Sequence, residues 1–390
     1  MIRLAVFATH PIQYFVPLWR ELSRRPGLEV TVFYFSDHSV RGGLDRGFQM
    51  KLAWDVPLLT GYRHVFISRN ADLSKPGSVD LPDARRILIE GNFNAVLLLG
   101  YTHAFEREVA RASRSLDIKI VLRGDFSSHL RTAWWKLPLK RIYLKWFYEL
   151  VDVFGYAGES GRRHLAENGV SESRMVYIPW AVDTTLFEAQ KRRFSRSRAR
   201  RRLGYREKDV VALFCGKLDH VKQPLLFLDA LARLPEVKGL IVGSGPLMAT
   251  CAQRVSTGLG DRVLLRGFVN QSELGLHYRA SDFLVLPSIS ETWGLVVNEA
   301  MQFGLPAIVS DGVGCRLDLV KPGRTGYVFP VGNADALVKA IGLLVRDRPG
   351  MRQMGRAAAS WIRPFTVSAT ADGLVKALDM ALSRSPDARD

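Results

Sequence analysis

The sequence of 390 residues is too long for one typical domain and long enough for two, each with its own core. A hydrophobic fraction of 47% and a charged fraction of 24% are ordinary for a soluble globular protein, and the three cysteines, Cys215, Cys251 and Cys315, are too scattered for a disulfide framework or a metal cluster. The net charge of +17 sits mostly in residues 1–210 and favours an anionic partner, without choosing among phospholipid, lipid diphosphate, acidic polysaccharide and nucleic acid.

In chain order, residues 3–8 form a short apolar run that stops at the polar loop Thr9-His10-Pro11 and reads as a strand. The apolar start is too short for a secretory signal, being broken by His10, Pro11 and Gln13, and nowhere do about 18 apolar residues run uncharged as a transmembrane helix requires. The expected location is therefore the cytoplasm, with any membrane met from its surface. Residues 14–24 have helical spacing, with Phe15, Leu18 and Leu22 on one face. Residues 29–35 read as a strand from their β-branched and aromatic content, and 95–99 and 118–122 as buried strands. The last of these stops at Arg123-Gly124-Asp125. His10, Gln13, Arg123 and Asp125 thus fall at strand ends, with His129 four residues beyond Asp125. His10 could steady its own loop or bond a ligand, and Arg123 and Asp125 could pair with each other or meet one. Residues 131–148 mix Arg131, Lys136, Lys140, Arg141 and Lys145 with Trp134, Trp135, Tyr143, Trp146, Phe147 and Tyr148. Such a mixture suits either a core face with a basic rim or a layer of anionic headgroups.

A seam between domains is expected in 179–209, where nine Lys and Arg residues crowd 191–206. That run fits a solvated helix face, or a surface for anionic lipid or polymer. The strand–helix grammar then repeats. Residues 210–214 end at Cys215-Gly216-Lys217, and 239–242 at Gly243-Ser244-Gly245-Pro246, with a helix at 224–233 between them; 262–265, 283–286 and 307–309 are further strands. Strands alternating with helices imply parallel βαβ units. The expected architecture is α/β, two doubly wound parallel-sheet, Rossmann-like domains at 1–180 and 181–364 facing across a cleft at their strand C-termini, with 365–390 a last helix, able to pack back on the first domain, and a tail.

The stretch Pro287-Ser288-Ile289-Ser290-Glu291-Thr292-Trp293-Gly294 follows the strand at 283–286 and opens a helix from about Gly294, ending at Gly304. Glu291 lies before the helix and Glu299 inside it. Free N–H groups at Gly294, Leu295 and Val296 form an anion-binding helix start. A diphosphate there would leave one carboxylate to sugar hydroxyls and the other to vicinal ribose hydroxyls. On spacing alone, both glutamates also fit surface charges near a helix start. Lys217 and Lys222 flank a short loop at a strand end, where two cations could neutralise a leaving diphosphate or be ordinary surface lysines.

Glu291 and Glu299 with seven residues between them resemble the signature of the family 4 retaining glycosyltransferases, which have the GT-B fold. Four further stretches are similar and in the same order: Gly216-Lys217-Leu218 through Lys222-Gln223-Pro224, Ile241-Val242-Gly243-Ser244-Gly245-Pro246, Arg266-Gly267-Phe268-Val269, and, earlier, Ile178-Pro179-Trp180-Ala181-Val182-Asp183. The similarity covers about 175–345 well and the N-terminal half weakly. It implies a hexosyltransferase-type enzyme taking a sugar from a nucleotide-diphosphate sugar to a hydroxyl acceptor, lipid-linked or saccharide, in bacterial polysaccharide, lipopolysaccharide or glycolipid synthesis. No further cofactor and no metal would be needed. Glu291 would orient the sugar and Glu299 the ribose; Gly216, Lys217, Lys222, Gly243, Phe268, Gly294 and Leu295 would line the donor. His10, Gln13 and His129 would stand on the acceptor side, and Arg123 and Asp125 near the chemistry. The sequence departs from the family in Cys315, where a second glycine is common, and in lacking a glycine pair beside His10. Two rivals are a nucleotide-sugar epimerase of the same fold and a basic nucleic-acid-binding protein; the second lacks a recognisable binding motif, so no nucleic-acid partner is expected.

Overall fold

The structure is a computed structural model that describes residues 1–45, 47–73, 79–126 and 137–384. His129 and residues 131–136 lie outside the described residues. The chain divides into two compact units. The first holds residues 1–43, 52–181 and 366–390, and the second 44–51 and 182–365.

In the first unit, β1 (Ile2–Ala8), β2 (Leu28–Tyr34), then, beyond a short hairpin of β3 (Gly43–Asp45) and β4 (Met50–Leu52), β5 (Arg63–Phe66), β6 (Ala95–Leu98), β7 (Lys119–Leu122), β8 (Val153–Tyr156) and β9 (Met175–Tyr177) build a seven-stranded sheet. Its order is β5-β2-β1-β6-β7-β8-β9, parallel throughout. Both faces are covered, as parallel sheets require. Ala5 and Phe7 of β1 point into one apolar layer, with Val96 and Leu98 of β6. Leu4, Val6 and Ala8 point into the other, with Ala95 and Leu97. The helix Val367–Ser383 returns to this second layer, burying Ala371, Leu374, Ala377, Leu378 and Ala381. Its Thr370 hydroxyl donates to the Pro179 carbonyl at 2.9 Å.

The second unit contains β10 (Val210–Cys215), β11 (Val237–Val242), β12 (Val263–Leu265), β13 (Phe283–Leu286), β14 (Ala307–Ser310) and β15 (Gly326–Phe329), in the parallel order β12-β11-β10-β13-β14-β15. The order reverses between β10 and β13, which pair through Ala212 with Phe283 and Leu213 with Leu284. Loops leaving the C-terminal ends of two such strands diverge to opposite faces, and ligands of open α/β sheets bind there. In the first unit the same reversal lies between β1 and β6.

The basic run at 191–206 is not a uniformly solvated face. It takes in the end of the helix Thr184–Arg193 and the whole of the helix Arg196–Arg202. Arg200 is fully buried, its guanidinium donating to the carbonyls of Arg206, Glu207 and Asp209 and to Asp282 at 2.6 Å. Arg196 also binds Asp282, at 2.5 Å. Two of the charges are therefore structural, fastening this helix to the start of β13.

Candidate active site

At the β10–β13 reversal the sequence brings a carboxylate and two lysines together. Glu291 sits in the loop after β13, and its side chain contacts the Lys222 ammonium, both side chains being about four-fifths buried. Backbone bonds fix both partners. The Ile289 N–H donates to the Val221 carbonyl at 2.7 Å, tying the two loops side by side, and the Lys222 N–H donates to the Asp219 carboxylate at 2.9 Å. Burial pushes the Lys222 ammonium down, to about 8; Asp219 opposes the shift and the nearby Lys217 charge reinforces it.

The loop 311–315 holds Glu291 from the other side. Glu291 N–H donates to Gly312 O at 3.0 Å, Gly314 N–H to Glu291 O at 3.0 Å, and Cys315 N–H to Trp293 O at 2.9 Å. This lacing needs glycine: a Cβ on Gly314 would stand 2.0 Å from the Thr292 oxygen, and one on Gly312 2.2 Å from that of Ile289. Cys315, which departs from the family pattern, points inward and is buried, its Sγ 3.9 Å from the Gly294 carbonyl. Gly294 takes the left-handed conformation, φ 102°, that turns the loop into the helix Leu295–Gln302. The N–H groups of Leu295 and Val296 meet no protein acceptor among the described residues, so this helix start can receive an anion.

Glu299, one turn into that helix, is 2% exposed. The Tyr278 hydroxyl donates to its Oε2 at 2.5 Å and lies 3.8 Å from Cys215 Sγ. Burial and the Glu299 charge together push the Cys215 thiol up to about 12, against smaller opposing effects of Tyr278 and Lys222. Cys215 is thus a neutral thiol and no nucleophile at neutral pH.

Gly216 and Gly243 bring the ends of β10 and β11 into direct backbone contact. The Gly216 N–H donates to Val242 O at 2.9 Å, and a Cβ on Gly243 would fall 1.8 Å from Gly216 O. Gly243 therefore has a packing reason to be glycine, independent of any ligand. Lys217 leaves this turn toward Asp45, 3.5 Å away, and lies over the Phe48 ring at 5.0 Å; Phe48 meets Phe268 edge-on at 5.1 Å. Burial alone would raise the Asp45 carboxyl, but the N–H groups of Phe48 and Gly47 and the Lys217 charge outweigh it and lower it.

In the first unit, Arg123 follows β7 and is 4% exposed, stacked at 3.8 Å on the Trp180 ring. It pairs with Asp125 at 3.4 Å, and Trp180 Nε1 donates to the same Asp125 oxygen at 3.2 Å. Burial pushes the guanidinium down, to about 10, which leaves it charged at neutral pH. His10 follows β1; its Nδ1 is 3.0 Å from the Thr9 hydroxyl and its ring 4.3 Å from that of His38. Gln13 is partly buried two residues before the helix Val16–Leu22 begins its N-cap.

Residues 195–361 match the family model of glycosyl transferases group 1. Every lysine, glutamate and glycine of the candidate site in the second unit falls inside that glycosyltransferase segment. A relative, the D-inositol 3-phosphate glycosyltransferase of Mycobacteroides abscessus, is 36% identical over 192 residues, 47% of this chain and 42% of that protein. The chain thus matches less than half the length of this relative. The two-sheet architecture is the GT-B fold. The sucrose-phosphate synthase of Thermosynechococcus elongatus superposes with a TM-score of 0.71 at 20% identity, over 99% of this chain and 100% of the other. The Anabaena protein Alr3699/HepE, solved in complex with UDP, superposes with a TM-score of 0.73 at 17% identity, over 97% and 100%.

Tyr278 and the Asp45–Phe48 segment carried no local signal. Tyr278 lies 21 residues before Glu299, in a short and mostly buried helix, Leu274–Ala280. Asp45 is 172 residues from Lys217. Trp180 was legible only as part of the passage into the second domain, not as the plate under Arg123.

Proposed function

We propose that the chain is a retaining glycosyltransferase of family 4 type, moving a sugar from a nucleoside-diphosphate donor to a hydroxyl acceptor in bacterial polysaccharide, lipopolysaccharide or glycolipid synthesis. The observation that carries the reading is the meeting of Lys222 and Glu291 beside an open helix start, with Glu299 held one turn further on. The diphosphate lies against Leu295 and Val296, with Lys217 and Lys222 neutralising the charge that develops as it leaves. To take up the diphosphate, Lys217 exchanges Asp45 for a phosphate oxygen. Glu291 accepts from sugar hydroxyls and Glu299 from the ribose, while Phe268 borders the base. The acceptor hydroxyl attacks from the face the diphosphate leaves, and a phosphate oxygen takes its proton, so no side-chain nucleophile is needed. No metal is required in this scheme. Arg123, Asp125, His10 and Gln13 stand on the acceptor side, and His129 belongs with them by its place in the sequence.

The first donor to test is UDP-linked, since the Anabaena neighbour was solved with UDP. Thermal shifts with UDP, GDP and ADP should show one nucleotide stabilising the parent protein and not the Glu299→Ala variant. Equal stabilisation of both would remove the assignment. Product analysis with a labelled sugar donor then distinguishes transfer from epimerisation. The proposed location is the cytoplasm, at the inner face of the plasma membrane. The helix Leu137–Leu150 supports peripheral contact, with Leu139 and Ile142 each 68% exposed beside exposed Arg141 and Lys145. Co-sedimentation with anionic liposomes should fall on Leu139→Glu/Ile142→Glu substitution; unchanged binding would refute that contact.

A further inference from the structure

A separate cavity of about 680 Å³ lies in the second unit at the opposite ends of β10 and β13 from Lys217 and Glu291, edged by Val210 and Asp282. That is the size of a small-molecule site. Part of its wall is apolar: Phe303, Leu305 and Met351. Arginines dominate its polar lining. The helix Arg348–Trp361 contributes Arg348, Arg352 and Arg356, spaced four apart and so on one face, where like charges repel unless an anion joins them. Among the described residues Arg348 donates only to the Lys208 carbonyl, at 2.7 Å. Arg352 and Arg356 make no hydrogen bond or ion pair among the described residues. Arg279 gives one N–H to the Lys191 carbonyl at 2.9 Å, and its Nε is buried with no partner.

Among the described residues none of these four arginines has an ion pair with a nearby carboxylate. Asp282 is taken by Arg196 and Arg200, Asp209 by Lys238, and Glu188, whose charge reaches Arg279, by Lys191. Glu207 is the lining acid left without an ion pair among the described residues. Guanidinium forks match phosphate oxygens in pairs, and an apolar wall beside them suits a non-polar substituent. We propose that this cavity binds a phosphate monoester carrying an apolar group, either a soluble ester or a lipid headgroup. The proposal does not depend on the function assigned to the Lys222–Glu291 site.

The test is calorimetric titration of the full chain with phenyl phosphate, using benzyl alcohol as the uncharged control. A Lys217→Ala/Lys222→Ala background removes phosphate binding at the other site. Phenyl phosphate should bind this background as it binds the parent, and benzyl alcohol should not bind. Adding Arg352→Ala/Arg356→Ala should weaken phenyl phosphate at least about tenfold. Both side chains are exposed, so the thermal unfolding midpoint should hold; if it falls, Arg348→Ala alone should still weaken binding severalfold. Tighter binding of dihexanoyl phosphatidic acid than of phenyl phosphate, lost in the same arginine variants, assigns the lipid source, and the reverse order the soluble one. Unchanged affinity in the arginine variants, or loss of binding in the lysine background alone, overturns the proposal. Nucleotide binding that survives in the lysine background counts instead against the reading of the other site.

Discussion

Glu299 and Lys222 carry the sharpest expectations. Each hydrogen bond to a charged group contributes about 1.5–3 kcal/mol, so Glu299→Ala should weaken donor binding by about 10- to 100-fold. Tyr278→Phe removes the hydroxyl that holds Glu299 and should cost less, about 1–2 kcal/mol, seen as a higher KM for donor. Lys222 gives a pH dependence. Its ammonium is held down to about 8, so the charge that attracts the diphosphate is present below that pH and lost above it. Donor affinity should therefore fall as pH rises through about 8, the crossing moving higher once a diphosphate is bound. Lys222→Arg keeps its charge and should flatten that slope, which titration of nucleotide diphosphate across the range would reveal. Glu291, Glu299, Lys217 and Lys222 were legible because each lies in a contiguous motif at a strand or helix end. Tyr278 was not, because its role depends on how two helices separated in sequence meet. A spacing rule sees one segment at a time.

The loops between strands set the site. Loop 311–315 is sewn to the Glu291 loop by three backbone bonds, and two of its residues have no room for a Cβ. Gly314→Ala should thus displace Glu291 and lower donor affinity, while the helix beyond keeps its place. Gly243→Ala meets the Gly216 carbonyl and a φ of 145°, and should destabilise the second unit by about 2–4 kcal/mol in chemical denaturation. The strands that alternate cleanly with helices could be read from apolar runs, as with β1, β2, β6, β7 and β10 to β14. β5, with Arg63 and His64, β8, interrupted by Gly155, and β15, opening on Gly326, offer no comparable apolar run. The 44–51 segment could not be placed from sequence at all: nothing local says that a hairpin between two strands of the first sheet clusters with the second unit.

The whole chain passes from the first unit to the second and back. Deleting residues 367–390 should expose the part of the first unit's second apolar layer formed by Val121, Val153 and Val176, each now buried. Loss of a buried leucine costs about 2–5 kcal/mol, and Leu374 and Leu378 would go together. Calorimetry of the truncated chain should then show the unfolding transition of the first unit lost and that of the second retained. The path also fixes an order of assembly. Residues 182–365 emerge from the ribosome as one stretch and can close their six-stranded sheet without waiting, whereas the older N-terminal sheet keeps part of one greasy side, at Val121, Val153 and Val176, uncovered until Val367–Ser383 has been made. In this protein the half synthesised first is the half finished last, and through that interval a chaperone has something to hold.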